Sequence, residues 1–437
     1  MRTFPSNPVR ILGLGAVTLC LLSLANSLAA PAFATNGYLI HGIGTREKAL
    51  AGAGVALPQD ALAAATNPAA MAWIGNRYDA GMAFFSPSRE YKITGNPSGF
   101  PGTFGLIPGT VESDSEVFFV PNFGANWKLS AHSAFGLAVY GQGGMNTDYP
   151  AATFFGSTPT GVDLSQLFIV PTYATKFGSE DHSIGFSPII AYQMFEAQGV
   201  QAFGMFSSNP GKLSNNGSDS ATGFGAKVGY LGQFTPQLSV GFAYQTKIAM
   251  DEFSDYAGLF AAKGDFDIPS NYVVGFAYKF GDSGVFVLDM QEIMYTDIDS
   301  VSNPLFPALG RAFMGDPSGL LGSAQGSGFG WEDMTVLKAG FQWGSGAWTY
   351  RLGYSTTDQP IRDTEVLFNV LAPGVVEDHI TFGFTRNLGT SRAFSFSLMY
   401  APSVGVSGPN PLEVPGLQTI ELSMEQWDLE LGYSWGF

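Results

Sequence analysis

The sequence predicts an all-β protein: a fourteen-stranded antiparallel transmembrane β-barrel with a small N-terminal helical plug in its lumen. Three observations carry that prediction. From Arg77 onward, segments of alternating apolar and polar residues recur, the pattern of strands whose two faces meet different surroundings. The connections between these segments alternate between tight turns and long loops, as in a membrane barrel with one short-turned rim. The composition is 14% aromatic and only 13% charged, with 56 glycines, an odd surface for water. Yet no apolar run after residue 34 is long enough for a helix to cross a bilayer.

Residues 1–34 read as a cleaved signal peptide. Arg2 and Arg10 supply the basic start, Ile11 to Leu28 the apolar run, and Ala32-Phe33-Ala34 the small-x-small pattern before Thr35. Cys20, the single cysteine, lies in that run, so the remaining chain is expected to have no thiol chemistry. The formal net charge of −16 argues against a nucleic-acid partner. An exported, aromatic-rich chain of this kind is expected in the bacterial outer membrane.

The barrel is expected over 77–437, with strands at 77–93, 115–129, 134–147, 165–178, 183–200, 221–234, 238–252, 270–280, 284–297, 334–344, 347–360, 378–388, 392–404 and 417–437. Fourteen is even, as single-chain bacterial barrels require. The last strand shows the pattern best. Trp427, Leu429, Leu431, Tyr433, Trp435 and Phe437 form one face, and Asp428, Glu430, Gly432, Ser434 and Gly436 the other. Upstream, Ile420, Leu422 and Met424 lie in the opposite phase, so a bulge near Glu425-Gln426 is expected. Lys or Arg facing mid-bilayer lipid costs roughly 2–4 kcal/mol. Lys227, Lys247, Lys338 and Arg351 should therefore point into the lumen, toward an anionic ligand group or toward Asp289, Asp428 or Glu430.

Residues 35–76 do not alternate. Arg46 to Gly54 and Asp60 to Ala65 are Ala-rich and helix-prone, with Thr45 and Asp60 as candidate caps. A compact segment of this size suits a plug, since a barrel this wide otherwise leaves an aqueous hole. Asn67-Pro68-Ala69 follows it and, taken alone, is a turn signal.

The plug pattern Asn36-Gly37-Tyr38, Gly42-x-Gly44, Gly52-Ala53-Gly54-x-Ala56, Asp60-Ala61 and Asn67-Pro68-Ala69, followed by the barrel, resembles the FadL/TodX (OMPP1) family of outer-membrane transporters. Val120-Pro121-Asn122, Ile268-Pro269, Trp348-x-x-Arg351-x-Gly353 and Gln359-Pro360-Ile361 add marks in the right order. The resemblance implies passive uptake of long-chain fatty acids or hydrocarbons by a monomer that needs no cofactor. It implies a lumenal pocket beside Thr35, Asn36 and Gly37, plug rearrangement, and lateral exit into lipid at a kink in strand 3, with Asn67-Pro68-Ala69 beside the opening. Here Gly141, Gly143 and Gly144 would permit the kink. Phe203, Phe206 and Phe260, in loops shorter than those of fatty-acid carriers, would line a capture groove. Arg351 matches its motif position as a carboxylate partner, with Lys338 and Lys247 as further candidates. Phe437 is expected to signal to the barrel-assembly machinery, and outer-membrane lipid surrounds the barrel.

Two other classes fit the sequence less well. An enzyme needs a catalytic constellation, but only His41, His132, His182 and His379 exist, and no serine stands at triad-like spacing from His379. No metal-ligand spacing occurs either. A general diffusion porin or a surface adhesin shares the barrel but has no need of a plug.

Overall fold

The computed structural model describes residues 36–437; the segment expected as a signal peptide, with Cys20, and Thr35 lie outside the described residues. Sixteen strand segments form one antiparallel sheet that closes on itself, the last strand pairing with the first. Two segments are short: Gly109–Glu112 extends a hairpin from strand 1, and Ala249–Met250 pairs back onto strand 6. The other fourteen build the wall. They are β1 Arg77–Thr94, β2 Phe118–Lys128, β3 Ser133–Tyr149, β4 Thr160–Phe177, β5 His182–Gln198, β6 Asp219–Gln233, β7 Leu238–Gln245, β8 Asn271–Phe280, β9 Gly284–Ile293, β10 Met334–Ser345, β11 Trp348–Thr356, β12 Asp378–Asn387, β13 Arg392–Pro409 and β14 Thr419–Gly436. The strand count and the closed architecture are as the alternation predicts.

Strand boundaries differ in two instructive places. The segment expected as one strand over 238–252 is interrupted after Gln245 and resumes only at Ala249–Met250, and Lys247 in the break is not lumenal; its ammonium pairs with Asp267 at 2.7 Å with 45% of the side chain exposed. The bulge expected in β14 lies instead in β13. Strand β14 runs against β1 in unbroken register from Thr419 to Gly436, whereas its register with β13 shifts between Ala401 and Val404. Even-numbered residues of β14 face inward throughout. The change of pattern at Trp427 is therefore a change in what each side of the wall meets.

Eighteen residues at about 3.3 Å each make β1 and β14 roughly 60 Å long, far beyond the roughly 25 Å apolar band of such barrels. Near the short-turn rim, Tyr78, Met82 and Phe84 face outward, as do Leu431 and Tyr433. Toward the long loops, the outward face becomes Ser86, Ser88 and Glu90 on β1, and Glu421, Ser423 and Glu425 on β14. There the inner face turns apolar: Tyr91 and Ile93, Ile420, Leu422 and Met424 are all buried. The wall thus emerges from lipid and becomes a soluble-type shell with an apolar core. At the short-turn rim, Phe437 stacks on Tyr78 with centroids 4.8 Å apart.

The plug occupies the lumen with short helices at Thr45–Lys48 and Ala63–Thr66 and a 3₁₀ helix at Pro68–Trp73. Thr45 does not cap its helix; its hydroxyl donates to Glu430 at 2.8 Å, and Gly44 holds the cap position. Asp60 does serve as a local acceptor, for the N–H of Leu62. Asn67 caps the 3₁₀ helix by accepting from the N–H of Ala69 at 3.1 Å, with proline at the first position.

Candidate functional site

Asn36 to Leu39 form a tight turn wedged between the long-loop half and the plug. The Tyr295 hydroxyl donates to the Asn36 carbonyl at 2.5 Å and accepts from the Tyr38 N–H at 3.1 Å. The Tyr38 ring sits among Tyr295, Trp331 and Phe266, at centroid distances of 5.2, 5.9 and 6.0 Å. The next residues dock on β3. Ile40 donates its N–H to the Gln142 carbonyl, and Gly144 donates to the Tyr38 carbonyl, both at 2.9 Å. At this point β3 is bulged, its register with β4 shifting between Gly141 and Gly143 so that Gln142 is the extra residue. A Cβ on Gly143 would lie 1.9 Å from the Tyr38 carbonyl oxygen, so only glycine admits the segment.

Above this turn lies a small, partly open apolar cavity. Phe195 of β5 and Phe203, Phe260, Phe329 and Phe368 from the long loops line it together with valines and leucines. Phe195 and Phe260 pack at 4.6 Å, Phe203 and Phe368 at 5.1 Å. Among the described residues, its only polar side chains are Ser300 and Ser327, whose hydroxyls donate to the carbonyls of Asp265 and Leu305, and no acidic or basic residue lines it. Such a cavity solvates an uncharged apolar compound and leaves a carboxylate without a counter-charge.

Below, wall and plug share an apolar cluster, with Leu50 and Val55 of the plug among Val273, Val285 and Val287, and many polar contacts besides. Lys338 donates to the carbonyls of His41 at 3.0 Å and Gly52 at 3.5 Å. Lys227 donates to the carbonyl of Ala65. Asp289 faces Lys338 across β9 and β10, yet its carboxylate accepts the N–H groups of Gly54 and Val55 at 2.7 and 2.9 Å. Arg351 donates to the Gln59 side-chain oxygen at 2.8 Å and to the Thr385 hydroxyl at 2.9 Å. Lys48 of the plug reaches Asp428 at 2.7 Å and Glu430 at 3.0 Å. Wall cations thus take plug carbonyls and side-chain oxygen, and wall acids take plug N–H groups and its lysine. Burial pushes the Glu47 carboxyl of the plug up to about 7, although the Thr66 hydroxyl donates to it at 2.6 Å.

Of the residues expected to meet a ligand, Phe203 and Phe260 wall the cavity. Phe206 lies at its outer side, against Phe313 at 4.6 Å. Arg351 and Lys338 are turned to the plug, and Lys247 to Asp267. Asn67-Pro68-Ala69, expected beside the β3 opening, packs on β5 and β6. Ser183 donates to the Ala69 carbonyl at 3.0 Å, Asn67 donates to that of Tyr230 at 3.0 Å, and Gly185 and Gly229 leave room for Pro68 and Asn67. His379 does have a serine neighbour: cross-strand pairing brings the Ser355 hydroxyl to 3.1 Å from its Nδ1. The pair is buried under the plug, with His41 stacked on the ring at 5.4 Å. Sequence reasoning missed Phe195, Tyr295, Trp331 and Phe368. Phe195 was legible as the inward phase of β5; the others lie in loops without periodicity.

A family model described as outer membrane protein transport protein (OMPP1/FadL/TodX) matches residues 21–304. No curated protein sequence matches the chain. Among solved structures, the toluene transporter TodX of P. putida superposes with a TM-score of 0.65 at 15% identity, covering 91% of this chain and 99% of that one. A FadL homologue of Pseudomonas aeruginosa gives 0.66 at 16% identity, covering 92% and 100%. The toluene transporter TbuX of Ralstonia pickettii gives 0.59 at 17%, covering 91% and 99%. With its family model, closed barrel and apolar cavity, this chain belongs to the OMPP1/FadL/TodX family of bacterial outer-membrane channels for hydrophobic compounds.

Proposed function

We propose that this channel takes up compact, uncharged apolar compounds passively, holding them in the phenylalanine cavity and releasing them sideways into lipid at β3. The cavity carries the reading: five phenylalanines, two occupied serine hydroxyls and no charge suit a hydrocarbon better than a fatty-acid carboxylate. A chain of contacts joins cavity and exit. Phe260 packs on Phe266 at 4.7 Å, Phe266 contacts Tyr38, and the Tyr38 carbonyl is bonded to Gly144 at the bulge. A solute pressing on Phe260 would unseat the N-terminal turn and bare the bulged stretch of β3. Lateral exit spares an apolar solute the passage through water. In this reading Arg351, Lys338 and Lys227 anchor the plug, Asn67-Pro68-Ala69 fixes it to β5 and β6, and the barrel works as a monomer.

Uptake of propylbenzene should require this chain in cells stripped of other hydrocarbon channels, and should persist when the proton gradient is collapsed. Planar bilayers should show no large steady conductance; a porin-like current from the wild type would overturn the reading. Gly144→Trp should leave a folded, heat-modifiable barrel whose uptake falls at least tenfold. Undiminished uptake in that variant would remove the lateral exit.

A further inference from the structure

We propose that the lumen holds a head-group site, made by Gln166 and Gln193, that favours solutes bearing an uncharged hydrogen-bonding group such as a hydroxyl. This rests on the transport reading and narrows its substrate class. Gln166 of β4 and Gln193 of β5 are direct partners in register. Both face inward, in the phase of the cavity walls Val162 and Phe195. Gln193 is two residues below Phe195 and Gln166 four below Val162, placing the amides roughly 7–13 Å beneath the cavity. On the other side, Gly143 at the β3 bulge is the register partner of Gln166. The pair therefore lies between the cavity and the proposed exit.

Both amides are buried, at 5% and 0% exposure, and all four of their polar atoms lack a hydrogen-bond partner among the described residues. Their lumenal neighbours are apolar: Leu164 and Phe168 flank Gln166, and Ala191 and Phe195 flank Gln193. Packing alone would be served by leucine at either position. A hydrocarbon filling this place strands two amides without partners, which is costly. A hydroxyl both donates and accepts, so it satisfies a carbonyl of one amide and an NH₂ of the other. Sites built to hydrogen-bond a hydroxyl discriminate strongly against the analogue that lacks it.

The test compares 4-ethylphenol with propylbenzene, which have the same number of heavy atoms, as chain-dependent uptake into the same cells. The wild type should take up 4-ethylphenol about tenfold faster. Gln166→Leu combined with Gln193→Leu should bring the ratio to about one without slowing propylbenzene. Equal rates in the wild type, or a preference that survives the double substitution, would overturn the head-group site while leaving transport intact. If the double variant does not assemble, Gln193→Leu alone and the wild-type ratio decide the matter. Uptake of neither solute by the wild type would overturn the transport reading and this inference with it.

Discussion

Strand β14 carries both halves of the lumen on one face. Toward the periplasm its inward residues are Asp428, Glu430 and Ser434; toward the outside they are Ile420, Leu422 and Met424. Beside an apolar cluster around Leu50 and Val55, the lower half docks a folded segment through discrete, directional bonds: Lys48 to two carboxylates, Lys338 to two carbonyls, Asp289 to two N–H groups. The upper half is closed mainly by apolar side chains, whose attraction is non-directional and accepts foreign molecules of varied shape. The charged groups buried there are occupied: Arg89 with the carbonyls of Asn146 and Ser115, Asp267 with Lys247 and the Met250 N–H, and Glu365 with the Leu305 N–H. The difference teaches a division of labour. In the proposed function, the seal rests largely on bonds that hold one geometry and the transient apolar site on contacts that hold none.

That comparison can be broken from either side. The largest effect should come from Lys48→Ala, which leaves Asp428 and Glu430 buried without their cation; removing one partner of such a cluster costs about 3–5 kcal/mol. The plug should loosen, and planar bilayers should show steady current where the wild type shows almost none. Cutting into the upper half should do the reverse. Phe260→Ala should weaken propylbenzene binding about tenfold, read by uptake at limiting concentration, while the bilayer stays sealed. Asp289→Asn keeps an acceptor but loses its charge, so plug docking should weaken by about 1–2 kcal/mol, visible as faster proteolysis within residues 36–76. The smallest effect concerns pH. Glu47 is held above the usual carboxylate range, near 7, by burial, with Lys338, Asp289 and Asp60 as its charged neighbours. The docked plug therefore binds a proton that the free segment releases, and docking should weaken as pH rises from about 4.5 through 7. Protease protection should be greater at pH 5 than at pH 8, and Glu47→Gln should flatten the difference.

Much of the wall was legible in the sequence because a strand has a period of two and lipid punishes error. The fourteen strands, the short-turn rim and the inward setting of Lys338 and Arg351 all follow from that rule. It misled where the surroundings changed along one strand. Ile420, Leu422 and Met424 looked out of phase because the rule assumed lipid outside, whereas the upper wall meets water. Lys247 looked lumenal because alternation persists past Gln245, although the regular ladder is interrupted there before Ala249–Met250 rejoins β6. The cavity was half visible: Phe203 and Phe260 could be picked from loop composition, but Phe368 and Tyr295 reach the site only by tertiary contacts with no spacing to betray them. The task of the lumenal cations was hidden too, since their partners are plug oxygens, mostly backbone carbonyls that carry no sequence signal.

The most direct test of the two-part lumen is a crystal of this protein soaked with 1-bromo-4-ethylbenzene and measured at the bromine edge. An anomalous peak is expected among Phe195, Phe203, Phe260 and Phe368, with none beside Lys338, Asp289 or Asp428. Bromine beside those charged groups, with the phenylalanine cavity empty, would contradict it.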